Sequence, residues 1–356
     1  MTRIVGLLIA VFLAGTFLIW QINRYSSLPI SARHEKGVFE VPHNTSLHEV
    51  ATLLVARGLI ASSREFVWYV KLTGSATQIK MGEYALYRDM TPSEILKTLT
   101  SGESIRYPLV VPEGSNIFDI RDSLNRMWPH RGEEFFKYVT SPDKIRALTG
   151  QNMPSLEGYL FPDTYLITKF TPIGALVQMM YRKFQNAIVQ ADKDPTVKMS
   201  LHDQVVLASI IEKETGAPFE RPLISSVFHN RLEKGMRLQS DPTIIYGMWL
   251  NAGVRPVNIR KADIRRPTPY NTYVIHALPP GPIANPGAAA LWAAVHPAAT
   301  HYLYFVSRND GTHVFSKNFK EHLRAVRKYQ LDPREREGKS WRDLSKKLAH
   351  GKAHAS

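Results

Sequence analysis

Two glutamates close one helical segment, and their spacing separates their chemistry. Gln204-Val-Val-Leu-Ala-Ser-Ile-Ile-Glu-Lys-Glu-Thr215 reads as a helix. Glu214 falls three, four and seven residues after Ile211, Ile210 and Leu207, so it shares their apolar stripe, while Glu212 points elsewhere. A carboxyl group on a core-facing stripe loses hydration, which disfavours its ionised form and raises its pKa. A carboxylic acid still protonated near neutral pH is the general acid that glycosidic bond cleavage requires. The plain alternative is a solvated or structural glutamate. Its position near a helix C-terminus, where a negative charge opposes the macrodipole, gives it no helix-stabilising purpose.

Three polar clusters follow: Gln239-Ser-Asp-Pro-Thr243, Tyr270-Asn-Thr-Tyr273 and the loop Leu278-Pro-Pro-Gly-Pro-Ile-Ala-Asn-Pro-Gly287. Glu157-Gly-Tyr-Leu-Phe-Pro-Asp-Thr-Tyr165 has the same character upstream. Tyrosine faces stack on sugar rings, and amides hydrogen-bond hydroxyl and N-acetyl groups. Gln239, Asp241, Tyr270, Asn271, Tyr273 and Asn285 are therefore the candidate substrate contacts. Other chemistries lack their signatures. There is no HExxH, and the thirteen histidines show no metal spacing. No P-loop, GxGxxG or GxSxG is present, and no cofactor is implied. With no cysteine in the chain, disulfides, thiol catalysis and Cys-ligated zinc are excluded.

The elements that position these residues can be read in outline. Ile4–Trp20 carries no charge and is dominated by aliphatic residues and Phe. Its length of about 17 residues is at the short end for a membrane span, and no small-x-small cleavage site follows closely, so an uncleaved anchor is preferred over a signal peptide. Residues 1–24 are assigned to this anchor and 25–37 to a linker. Residues 38–106 read as a small α+β module in the order strand, helix, helix, strand, with strands at Val38–Val41 and Gly82–Tyr87. Residues 107–330 form a larger mixed α+β domain with the acid on a helix. Ser200 caps that helix, Asp241-Pro242 caps a third short helix, and Asn285-Pro286 caps the one after the Pro/Gly loop. Asn309-Asp-Gly311 marks a hairpin. Residues 331–356 are a basic tail. The net charge of +14 favours anionic surfaces, and no nucleic-acid motif accompanies it.

Taken together, Leu207-Ala-Ser-Ile-Ile-Glu-Lys-Glu-Thr215, Val227-Phe-His-Asn-Arg-Leu232, Gly235–Thr243 with Tyr246-Gly247, Tyr270–Tyr273 and Leu278–Gly287 closely resemble the endolytic murein transglycosylases, the MltG or YceG-like family. The resemblance extends over nearly the whole chain, including the anchor and a LysM-like module with Met81-Gly-Glu-Tyr84. It implies an α+β enzyme of the inner membrane, single-pass, with its catalytic domain facing the periplasm. It implies peptidoglycan glycan strands as substrate, Glu214 as catalytic acid, and penicillin-binding proteins as working partners. The implied reaction cleaves the bond between N-acetylmuramic acid and N-acetylglucosamine without water, leaving a 1,6-anhydro end. Two alternatives stay open: a non-catalytic wall-binding scaffold, and a hydrolytic muramidase using Glu212 as a second carboxylate.

Overall fold

The computed structural model describes residues 2–332 and Arg334. The basic tail lies almost wholly outside the described residues. The chain forms two compact units, one comprising Met1–Pro108 with Leu166–Pro172, the other Leu109–Tyr165 with the chain from Ile173 onward.

The first unit opens with helix α1 (Thr2–Ser27), followed by β1 (Lys36–Val41), α2 (Leu47–Ala56), α3 (Ser63–Leu72), β2 (Gly82–Tyr87) and α4 (Pro92–Ser101). β1 and β2 pair antiparallel with Phe39 opposite Tyr84 and Val41 opposite Gly82. The period-2 alternation puts Phe39, Val41, Tyr84 and Leu86 on one buried face, where they meet Val50, Leu54, Phe66, Ile95 and Leu99. The Tyr84 hydroxyl satisfies itself inside this core by donating to the Lys80 carbonyl at 2.7 Å. Capping boxes start α2 (Ser46 with Glu49) and α4 (Thr91 with Glu94). Lys169, in the returning segment, pairs with Glu40 at 2.7 Å.

The expected linker is shorter than residues 25–37. α1 runs through Tyr25 to Ser27, and Ile22 and Tyr25 pack on the first unit's core. Side chains of the Ile4–Trp20 run, Ile4 among them, lie partly outside the described residues. Among the described residues no helix is long and apolar enough to cross a membrane.

From β3 (Tyr107–Val110) the chain enters the second unit, with α5 (Ile117–Met127), α6 (Arg131–Val139) and α7 (Pro142–Thr149), and after β4 (Thr164–Ile167) and the returning segment it continues there with α8 (Ile173–Ala191). Then come α9 (Leu201–Glu214), α10 (Arg221–Glu233), α11 (Asp241–Ala252), α12 (Lys261–Arg265), α13 (Ala288–Val295), the hairpin β5 (Tyr304–Ser307) and β6 (His313–Ser316), and α14 (Phe319–Val326). β5 and β6 pair antiparallel around the turn at Asn309–Gly311.

α9 is the axis of this unit. The sequence suggests one apolar stripe, but every residue from Gln204 to Ile211 is buried, so the helix is enclosed over this stretch, with α10, α11 and α13 packed against it. The alanine-rich α13, with Ala290, Ala293 and Ala294 buried, packs closely along it. A helix buried all round must satisfy its polar side chains internally. Three of them, on one face at spacings of seven and three, hold the Pro/Gly loop. His202 Nε2 meets the Pro280 carbonyl at 3.0 Å, Ser209 Oγ accepts from the Ile283 N–H at 3.0 Å, and Glu212 Oε2 accepts from the Gly287 N–H at 3.0 Å. Gly287 is thus the N-cap of α13, in place of the expected Asn285. Asn285 instead donates to the Ser115 carbonyl and to Glu157, and accepts from the Leu160 N–H at 3.0 Å.

Glu157 completes this knot. Its Oε2 accepts from the Ile117 N–H at the start of α5, and burial pushes its pKa up to about 8. The next residue, Gly158, has φ +84°, and a Cβ there would lie 2.5 Å from Pro282 and 2.8 Å from Val205. Gly150 also has positive φ, +72°, but nothing lies within 4 Å of its missing Cβ. Gly150→Ala should therefore cost only the left-handed backbone penalty of about 1 kcal/mol. Gly158→Ala adds overpacking and should cost roughly 2–4 kcal/mol. Thermal unfolding of the two variants checks this; equal losses would refute the packing argument at Gly158.

Candidate active site

Glu214 is the last residue of α9, and Thr215 leaves the helix in an extended conformation. The acid therefore sits where a buried helix reaches the surface, and its side chain is only partly exposed. Burial pushes its pKa from 4.5 up to about 7, with the negative charge of Asp241 adding to the rise; a hydrogen bond from Ser240 and the charge of Arg231 oppose it. Ser240 Oγ donates to Glu214 Oε1 at 2.5 Å. When the carboxyl is protonated, the proton then belongs on Oε2, the oxygen not already occupied as an acceptor.

Ser240 is fixed by its neighbours. Its N–H donates to Thr272 Oγ1 at 2.9 Å, its carbonyl accepts from Thr243 Oγ1 at 2.7 Å, and the two threonine hydroxyls meet at 2.9 Å, all in buried surroundings. Ser240, rather than the expected Asp241, is the N-cap of α11, yet its hydroxyl makes no cap bond because it is turned to Glu214. Gln239, exposed, enters this corner with φ 53°, a left-handed conformation uncommon for a residue with a Cβ, and its N–H donates to the Thr272 carbonyl at 3.0 Å.

The expected substrate residues divide into two groups. Gln239 and Asp241 are exposed beside Ser240, and Tyr273 donates from its hydroxyl to Asp241 Oδ1 at 2.7 Å. Tyr270 is half-buried, with its ring centroid 5.2 Å from that of Tyr246, and burial pushes its pKa up to about 12. These four remain in reach of a ligand. Asn271 and Asn285 do not. Asn271 Nδ2 donates to the carbonyls of Asp263, Ile264 and Arg266, shaping the turn before Tyr270. Asn285 is locked in the Glu157 knot. Both are buried and serve as scaffold, so the expected sugar contacts at these two positions are withdrawn.

Glu212 is equally committed. Its side chain is 4% exposed, pairs with the buried Arg221 at 2.8 Å and holds the Gly287 N–H. It is not free to act as a second carboxylate. Three residues escaped sequence reasoning. Ser240 lay inside a recognised cluster but carried no signal that set it above its neighbours. Arg231 is buried, donating to the carbonyls of Leu303 and Leu238 at 2.7 Å each, and so braces the strand-like segment that leads to Ser240. Glu220 accepts from Thr215 Oγ1 at 3.2 Å and from the His313 N–H and Nδ1 at 2.8 and 2.7 Å, tying the turn after Glu214 to the hairpin. Among the described residues no group of three or more His, Asp or Glu is arranged to hold a metal ion.

The YceG-like family model matches residues 39–328. The endolytic murein transglycosylase of Bacillus subtilis (strain 168) is 32% identical over 335 residues, covering 89% of this chain and 89% of the relative. That of Streptococcus pneumoniae (strain ATCC BAA-255 / R6) is 28% identical over 347 residues, covering 89% of this chain and 63% of the longer relative. A crystal structure of a yceG-like protein from Listeria monocytogenes is 31% identical with a TM-score of 0.52, covering 82% of this chain and 99% of that one. Since the match runs from within β1 to just beyond α14 and takes in both units, this chain belongs to the YceG-like family.

Proposed function

We propose that this chain is a lytic transglycosylase that cleaves glycan strands of peptidoglycan, with Glu214 as its single acid and base. The observation that carries the reading is one carboxyl group near neutral pKa, aimed by Ser240, while its helix neighbour Glu212 is consumed by Arg221 and the Gly287 N–H. The relatives named endolytic murein transglycosylase support the substrate and the reaction class.

In this mechanism protonated Glu214 gives its Oε2 proton to the oxygen bridging N-acetylmuramic acid and N-acetylglucosamine. The bond to the muramic C1 breaks, and the positive charge that develops there is taken up by the ring oxygen or the substrate's own acetamido carbonyl. Glu214, now a carboxylate stabilised by the Ser240 hydroxyl and the charge of Arg231, removes the proton from the muramic C6 hydroxyl. That oxygen closes on C1 and gives the 1,6-anhydro end. No water is consumed, and the acid is regenerated. Tyr270, Tyr273, Gln239 and Asp241 line the approach, where rings stack on sugar faces and polar tips meet hydroxyl groups.

The location at a membrane belongs to the same proposal. Ile4–Trp20 as a span would hold the chain at the inner membrane with the second unit on the periplasmic side, near the synthases that make the strands. The order β1–α2–α3–β2 and the resemblance to LysM-like modules support a role of the first unit in holding glycan.

A second reading has one observation in its favour. Asp241 carries a negative charge close enough to raise Glu214, and a pair of carboxylates is what a hydrolase uses. The product decides between them. Full-length protein and its Glu214→Gln variant, incubated with purified peptidoglycan and assayed by mass spectrometry, should give anhydromuramic ends from the wild type only, with kcat/KM lowered about 10³-fold or more in the variant. Reducing ends would favour the hydrolase. No fragments from either protein, with wall binding intact, would favour a scaffold.

The raised pKa sets two pH dependences. kcat/KM should fall as pH rises through about 7, because the proton donor is lost. Ser240→Ala removes an interaction that lowers the pKa, so it should move this limb to higher pH while reducing the rate roughly tenfold. For stability, a carboxyl raised on folding contributes fully below its unfolded value of 4.5 and loses that contribution as pH rises through about 7. Glu214→Gln should therefore match wild type near pH 4 and become the more stable protein, by up to ~3 kcal/mol, at pH 8. Denaturant unfolding at both values tests this; a constant difference would refute the assignment of the raised pKa to Glu214.

A further inference from the structure

Helix α3 carries two apolar faces. Phe66, Tyr69 and Val70 are buried in the core of the first unit. Arg64, Trp68, Lys71 and Leu72 recur at i, i+4, i+7 and i+8 and so share another stripe. Trp68 and Leu72 are 59% and 49% exposed. An indole and a leucine bracketed by two cations suit a lipid–water boundary: the apolar bodies enter the first methylenes, the indole N–H stays wet, and the cations meet phosphate.

α1 brings the same chemistry to the same place. Its last turns rest on this unit, with the Tyr25 ring centroid 6.1 Å from that of Tyr69. The Arg24 guanidinium, adjacent in the chain, lies 5.5 Å from the centre of the exposed Trp20 ring one turn earlier. Between α1 and α3 is a cavity of about 510 Å³, within the size range of small-ligand sites, lined by Gln21, Ile22, Tyr25, Arg64, Trp68 and Leu72 among others. The Tyr25 hydroxyl, in its wall, has no hydrogen-bond partner among the described residues. Glu65 is the one acid in the lining.

We propose that this stripe and cavity form an interfacial lipid site that seats the first unit on a bilayer and takes the headgroup of an anionic phospholipid. Arg24, Arg64 and Lys71 supply the positive charge, and Trp20, Trp68 and Leu72 the apolar contact. The occupant follows from two things: Arg24 and Lys71 flank a lining in which Arg64 and Glu65 balance, so the site and its rim hold three cations against one acid, and the stripe is continuous with the uncharged run that ends at Trp20. The inference rests on the reading of Ile4–Trp20 as a membrane anchor and is independent of the reaction assigned to Glu214. Its consequence is a first unit that lies against the membrane surface rather than swinging on a tether, because α1 enters the unit with no free linker between.

The absence of cysteine makes the test direct. Single-cysteine variants of the full chain at Trp68→Cys, Leu72→Cys, Val38→Cys and Leu13→Cys are labelled with an environment-sensitive fluorophore and reconstituted. The vesicles are phosphatidylcholine with or without phosphatidylglycerol, carrying lipids spin-labelled at the headgroup, or deep in the acyl chain for the label at position 13. Val38 is a control, exposed on the outer face of β1, and Leu13 reports insertion of the anchor. Labels at positions 68 and 72 should be quenched at least about twofold more than at 38, and more strongly with phosphatidylglycerol present. Leu72 is exposed, so its variant keeps the test valid if replacing Trp68 disturbs folding. Quenching at 13 with 68 and 72 no different from 38 overturns the proposal while leaving the anchor standing. No quenching at 13 either overturns both. Equal quenching in the two vesicle types overturns the choice of an anionic lipid.

Discussion

The second unit depends on one constraint: α9 is enclosed by protein along most of its length yet ends on an acid that must exchange protons. Burying a polar group costs several kcal/mol unless a protein hydrogen bond replaces the one lost to water. The helix therefore cannot carry a polar side chain idly. Gln204 donates to Asp192 at 2.8 Å, Ser209 and Glu212 hold the Pro/Gly loop, and Lys213 reaches the Gly114 carbonyl at 3.0 Å. Each bond fixes a segment distant in sequence, and together they convert a helix interior into the frame of the site. Glu214 is the exception to this closure. Among the described residues it has one hydrogen-bond partner, on one oxygen, which leaves the other oxygen free to carry the proton.

That single partner is obtained at the expense of another element. A serine at an N-cap ordinarily turns its hydroxyl to its own helix, and losing that bond costs about 1 kcal/mol. Ser240 turns instead to Glu214, and the two buried threonines that fix its backbone keep it from returning. Gln239, held in a left-handed conformation, is the second local concession at this corner. Arg231 braces the approach from beneath, through the Leu238 carbonyl. Departures from local preference clustered beside one titratable group mark a place where geometry outweighs stability.

Periodicity made much of this legible. β2 at Gly82–Tyr87 stands where alternation placed it, and the hairpin around Asn309–Gly311 follows from its turn residues. The acid was visible because Leu207, Ile210 and Ile211 surround it on a wheel. The wheel did not reveal that α9 is buried on every side, since that depends on α10, α11 and α13 closing around it, a tertiary fact absent from any single helix. Nor could side-chain chemistry separate Asn271 and Asn285 from ligand contacts. An asparagine in a Pro- or Tyr-rich loop is equally suited to a sugar and to stray backbone groups, and here the backbone groups took both. The linker is shorter than composition suggests, because the chain turns polar after Trp20 while Ile22 and Tyr25, five and two residues before the helix ends at Ser27, still find a core to pack on.

The value near 7 for Glu214 bears on why one carboxyl suffices. A group that must first donate and then accept a proton works best when neither form is strongly preferred, because each pKa unit away from the operating pH adds about 1.4 kcal/mol to one half of the cycle. Burial drives Glu157 further toward the neutral form, to about 8, against hydrogen bonds from Ile117, Tyr246 and Gly158 but with no opposing arginine charge. At Glu214 the Ser240 hydroxyl and the Arg231 charge pull back against desolvation and Asp241. The opposing pairs hold the acid close to balance. On this argument Asp241 acts by its charge on Glu214 rather than by taking part in bond making, and its bond from Tyr273 keeps it in place for that role.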